Sequence, residues 1–82
     1  MRRAGTGLAS LRHAFHAAGA RYVLATLWEV NDAAADALMR DFYTRVWEGK
    51  QDPRVALRAA KKSAQERGAA FRDWAGWMIS GR

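Results

Sequence analysis

Tyr22-Val23-Leu24-Ala25-Thr26-Leu27-Trp28 is the stretch whose composition decides the fold. It is β-branched, aromatic and almost continuously apolar, which suits a strand buried on both faces, as in a parallel sheet between helical layers. Upstream, Leu8, Leu11, Phe15 and Ala18 fall at i, i+3, i+7 and i+10, which predicts a helix over residues 8–18. Gly19 supplies its stop, because glycine takes the left-handed C′ conformation without penalty. A helix followed after two residues by such a strand is half of a βαβ unit. The strand then needs two neighbours, and the chain is expected to supply at most one. An open position beside residues 22–27 would invite pairing with another chain.

Downstream, Asn31 or Asp32 can cap a second helix. Ala35, Leu38, Met39, Phe42, Tyr43, Val46 and Trp47 form its apolar stripe, the strongest periodicity in the chain. Asp36 with Arg40 and Asp41 with Arg45 are i, i+4 pairs with the acid first, the favourable order. Gly49 ends this helix. Asp52-Pro53 opens a third, with aspartate as N-cap and proline in the first turn. There Ala56, Leu57, Ala60 and Ala64 face inward, Arg54, Arg58, Lys61, Lys62 and Gln65 face outward, and Gly68 closes it. In the tail, Phe71, Trp74, Trp77 and Met78 suit a helix, while Ala75, Trp77 and Ile79 suit a strand.

The chain has 82 residues, no cysteine, one proline and a net charge of +6. That length allows one small domain, with stability expected to be marginal. Zero cysteines exclude disulfides, thiolate zinc sites and a cysteine nucleophile within these residues. Half the residues are hydrophobic, but eighteen are alanine, so large core anchors are few. The apolar run at residues 22–28 is too short to span a bilayer. Met1-Arg2-Arg3 is followed by no apolar signal core, so the cytoplasm is the expected compartment.

Candidate chemistry is sparse. His13 and His16 stand at a chelating spacing on the expected helix but have no third ligand beside them, so no metal or other cofactor is expected. Ser10, Ser63 and Ser80 have no strand-to-helix turn to expose a nucleophile, and Gly5-Thr6-Gly7 lacks the lysine and length of a phosphate loop. Arg54, Arg58, Lys61 and Lys62 could track a phosphate backbone, but no aromatic residues interleave with them in sequence, so nucleic acid is not the favoured partner. The remaining candidate is the carboxyl end of the strand, where open α/β sheets place binding sites. There Trp28, Glu29, Val30, Asn31 and Asp32 could wall a pocket for a side chain, particularly a basic one.

These same residues carry a family resemblance. Arg3-Ala4-Gly5-Thr6-Gly7-Leu8 resembles R-x-G-E-G-L, with Thr6 in place of the glutamate. Residues 15–21 resemble F-x-x-A-G-A-[RK], and residues 25–32 resemble A-S-L-W-x-V-[DN]-D. Phe42-Tyr43 matches F-Y, Ala56-Leu57-Arg58-Ala59-Ala60 matches A-L-R-x-A, and residues 74–81 resemble W-A-A-F-x-L-x-G. In this order, the segments resemble the C-terminal part of a CHAT domain, the caspase-like (clan CD) cysteine-peptidase module often attached to TPR repeats in bacteria.

The resemblance implies the C-terminal, small-subunit-like part of a caspase-like α/β/α sandwich over residues 1–82, in the order helix, strand, helix, helix, strand, with an incomplete sheet. It resolves the tail as a strand. It places the family's catalytic histidine and cysteine upstream of the R-x-G-E-G segment, and His13 and His16 match neither position. The chain alone is therefore expected to be catalytically silent. Trp28, Glu29, Val30, Asn31 and Asp32 would contribute to the wall of a peptide-substrate site. The implied partners are a protein or peptide substrate, the N-terminal remainder of the domain, TPR repeats, and a second copy through an open strand edge. The competing expectations are a stand-alone basic helical module that binds a partner or nucleic acid, and a degenerate pseudo-peptidase kept as a scaffold.

Overall fold

The computed structural model describes residues 8–9 and 12–81. Gly5-Thr6-Gly7, the Arg3 to Gly7 part of the family-like segment, and Ser10 lie outside the described residues. In chain order the elements are β1 (Leu8–Ala9), β2 (Arg12–Ala17), β3 (Ala20–Thr26), β4 (Val30–Asn31), α1 (Asp32–Tyr43) with a π-helical turn Thr44–Glu48, α2 (Pro53–Glu66), α3 (Phe71–Trp74) and β5 (Trp77–Gly81). The α/β class is as expected, and the sheet is short: β2-β3-β5, with β1 pairing β4 separately.

Where a helix was expected over residues 8–18, Leu8–Ala9 and Arg12–Ala17 are strands, and Leu11 lies outside the described residues; for the longer strand the reason is local. Between Arg12 and Ala17 the only large apolar side chain is Phe15, so the segment carries no helical stripe of its own. Its burial alternates instead, with Phe15 and Ala17 inward and His16 outward. Ala18 and Gly19 have φ of 54° and 80°, the two positive values of a type I′ hairpin turn. Gly19 is thus a turn residue between strands, where a helix stop was expected. His13 and His16 fall on opposite faces of β2, so the chelating spacing they would have on a helix is lost. An L-residue with a Cβ is disfavoured at the left-handed Ala18, and asparagine is far better tolerated there. Ala18→Asn is expected to raise stability by up to about 1 kcal/mol in thermal or urea unfolding. In a helix the same change would lower it, so a loss of stability would contradict the hairpin.

The strand at residues 22–28 is present as β3, but its surroundings differ from expectation. Both neighbours are antiparallel, β2 with Phe15 opposite Tyr22 and β5 with Ile79 opposite Leu24. Both sides of β3 are therefore filled from within the chain, and among the described residues the unpaired edges belong to β2 and β5. Nor is β3 buried on both faces: Tyr22 and Leu24 are buried, whereas Val23 and Ala25 are half-buried. Among the described residues α1 and α2 cover one face of the sheet. Leu38 and Phe42 from α1 and Ala56, Leu57, Ala60 and Ala64 from α2 join Phe15, Tyr22, Leu24 and Trp77 in one core.

The helices follow their sequence signals closely. Asn31 caps α1, its side chain accepting from the amides of Ala33 and Ala34. Asp52 caps α2 by accepting from Arg54 and Val55, with Pro53 in the first turn. The pairs Arg40–Asp36 at 2.7 Å and Arg45–Asp41 at 2.9 Å form as the spacing predicts. The π-helical turn rotates the end of the stripe, burying Val46 and leaving Trp47 half exposed, stacked on Tyr43 at 6.3 Å. The tail satisfies both of its patterns in succession, a single helical turn and then β5. Among the described residues no helix is long and apolar enough to cross a membrane.

Candidate functional site

The loop after β3 is tied down by a segment more than forty residues away. The Leu27 amide donates to Gly76 O at 2.9 Å, which extends the β3–β5 ladder by one step. The Trp28 indole Nε1–H donates to Arg72 O at 2.6 Å. The Asn31 amide donates to Asp73 Oδ1 at 3.4 Å, and the Arg72 guanidinium reaches Glu29 O at 3.5 Å. Trp77 Nε1–H donates to Asp73 O at 3.0 Å, so α3 is itself anchored to the core. Gly76 is needed at the crossing because a Cβ there would lie 2.8 Å from the Trp28 ring.

The five residues singled out in sequence divide into three roles. Val30 is fully buried and roots the loop in the core, so its side chain does not face a pocket. Asn31 spends its side chain on capping α1 and its amide on Asp73. Trp28, Glu29 and Asp32 reach the surface and are the three whose side chains can meet a ligand. Beside them runs a cavity of about 420 Å³ lined by Ala33, Ala34, Ala37, Arg67, Ala69 and Asp73, among others. Its small side chains leave space next to the exposed start of α1. Arg72, Asp73 and Gly76 belong to the site as well. Sequence reasoning missed them because hydrogen bonds to backbone carbonyls across forty residues leave no local pattern.

A family model for the CHAT domain matches residues 1–82. The chain belongs to the CHAT domain family. Tetratricopeptide repeat protein 28 from Homo sapiens is 38% identical over 77 residues, which cover 92% of this chain and 3% of that protein. This CHAT chain thus spans a small fraction of the length of the curated relative it matches. No solved structure matches it at a significant level.

Chemically, the loop presents exposed acidic and aromatic groups. Among the described residues no group of three His, Cys, Asp or Glu side chains converges. Ser63, on α2, accepts from the Arg67 guanidinium at 3.3 Å, and Ser80 lies in β5, neither on a strand-to-helix turn. Glu29 and Asp32 supply two exposed carboxylates, and the Trp28 ring supplies a half-exposed apolar surface. The site depends on the Asn31 cap, which joins loop to helix. Losing a capping side chain typically costs about 1 kcal/mol. Asn31→Ala is expected to lower the unfolding free energy by about that amount and to speed hydrogen exchange at the Ala33 and Ala34 amides. Unchanged exchange at both would count against the cap.

Proposed function

We propose that this CHAT chain forms the C-terminal part of a caspase-like cysteine-peptidase domain, supplying one wall of the peptide-substrate site while the catalytic histidine and cysteine come from outside these residues. The observation that carries this is the strapped loop. Trp28, Glu29 and Asp32 stand exposed just beyond the end of the central strand β3. The loop of residues 27–31 is fixed by four hydrogen bonds from or to residues 72–76, one of them from the Trp28 indole. A prearranged wall binds with less ordering cost than a mobile one. The two carboxylates favour a basic substrate side chain, with its aliphatic stem along Trp28. Attachment to TPR repeats is part of the same proposal, supported by the similarity to the human tetratricopeptide repeat protein 28.

The test uses the full chain and an arginine-containing tetrapeptide. The ¹H–¹⁵N indole signal of Trp28 should shift on titration, and Glu29→Gln should weaken binding by about tenfold or less, as for a solvated charge pair. No cleavage of the peptide is expected from the chain alone. A Trp28 signal that stays fixed at saturating peptide, or cleavage by the chain alone, would overturn the proposal.

A further inference from the structure

Among the described residues no acidic side chain pairs with the cations on the outward face of α2. Arg54, Arg58, Lys61 and Lys62 line a groove of about 500 Å³ with Leu57 and Trp74, and no acidic side chain among the described residues lines it. Among the described residues the ion pairs are Arg40–Asp36 and Arg45–Asp41, both in α1 and its π-helical extension. The aromatic wall is a tertiary feature, since Trp74 arrives from α3.

This groove runs beside the outer edge of β5, which no strand among the described residues pairs. The Leu27–Gly76 hydrogen bond sets the phase of that strand. Backbone groups alternate along an antiparallel ladder, so Gly76, Met78 and Ser80 turn toward β3 while Trp77, Ile79 and Gly81 turn outward. The α2 cations obey that phase. Lys61 Nζ donates to Trp77 O at 2.8 Å, and the Arg54 guanidinium donates to Gly81 O at 2.5 Å. Both therefore hold neutral carbonyls on the outer edge, with the outward Ile79 groups between them. Arg58 and Lys62 have no hydrogen-bond or ion-pair partner among the described residues. Partial burial also pushes the Lys61 ammonium below its usual range, a cost that a nearby anion would relieve.

We propose that the groove between α2 and the β5 edge binds an extended acidic peptide whose alternate residues are carboxylates. The spacings agree. Arg54, Arg58 and Lys62 follow one another at four-residue intervals, a rise of about 6 Å each. Alternate side chains of an extended strand repeat at about 6.7 Å on one face. A strand laid along β5 would point every second side chain at α2 and bond its backbone to the Ile79 N–H and C=O, as in strand addition. Lys61 and Arg54 would exchange carbonyl partners for carboxylates. A nucleic acid strand could use the cations but could not continue the β-ladder at the Ile79 N–H and C=O, so the edge favours peptide. Trp28, Glu29 and Asp32 do not line this groove, and this site stands or falls without the substrate-wall proposal.

The experiment titrates the full chain with a hexapeptide alternating glutamate and threonine, followed by backbone NMR and by Trp fluorescence. Two further probes are a hexapeptide of the same composition with its glutamates in one block, and an eight-nucleotide oligothymidylate. The alternating peptide is expected to bind, to weaken with salt, and to slow hydrogen exchange at the Ile79 amide. Arg58→Gln combined with Lys62→Gln should weaken it about tenfold or more. Both positions are exposed on a helix that tolerates glutamine, and circular dichroism verifies that the variant stays folded. The Trp28 signal should not move. Failure of the alternating peptide to bind, equal binding of the blocked peptide, tighter binding of the oligothymidylate, or indifference to the double substitution would each overturn the proposal.

Discussion

Phe42→Ala is expected to remove about 3–5 kcal/mol of unfolding free energy. Phe42 is fully buried at the centre of the stripe on α1. Its ring meets Phe15 of β2 edge-on at 5.5 Å and Tyr43 at 5.2 Å. It thus joins the helical layer to the hairpin strand. Truncation deletes that contact and leaves a cavity that neighbouring alanines are too short to refill. A domain of this length has about 4–12 kcal/mol in total, so the variant should lose a quarter or more of its stability and can fail to fold. Urea unfolding followed by circular dichroism measures it. A loss below about 1 kcal/mol would mean that Phe42 is not packed as described.

Gly76→Val is expected to have the largest effect on the candidate site. The added Cβ would meet Trp28 Cε2 at 2.8 Å and Cζ2 at 2.9 Å, closer than carbon atoms approach one another. Relief requires the ring to leave or the Leu27–Gly76 step of the ladder to open. Either way the indole N–H loses Arg72 O, and the loop is released. Overpacking of this kind costs about 1–3 kcal/mol. In the variant, the Trp28 indole signal should move toward the solvent-exposed position, and its N–H should exchange faster. By contrast, Trp77, anchored on Asp73 and the core, should keep its indole shift. Retention of the native Trp28 signal would show that the ring does not lie over Gly76.

These two residues also mark how far the sequence could be read. Phe42 was legible as core because it sits in a seven-member apolar stripe that only a helix can bury on one side. The caps of α1 and α2 were legible for a similar reason, since Asn31 and Asp52-Pro53 act on amides two or three residues away. The candidate loop was half legible. Trp28 and Glu29 stand out by type and position, but Val30 could not be separated from them, because burial depends on what packs above it. Residues 12–17 were misread as helix because one phenylalanine among alanines and polar residues fits a period of two as well as one of 3.6.

By itself the sequence determined the α/β class, the two long helices with their termini and inward faces, the central strand, the strand at the tail and the CHAT family. Each follows from signals within a few residues or from motifs in order. Only the tertiary structure decided the antiparallel order β2-β3-β5, the strap from residues 72–76 onto Trp28, and the arrival of Trp74 beside the α2 cations. Those depend on which distant backbone groups and faces come together. Every residue carries a main-chain carbonyl and nearly every one an amide, so the distant partners of side chains such as those of Trp28, Arg72 and Asp73 leave no mark in the sequence.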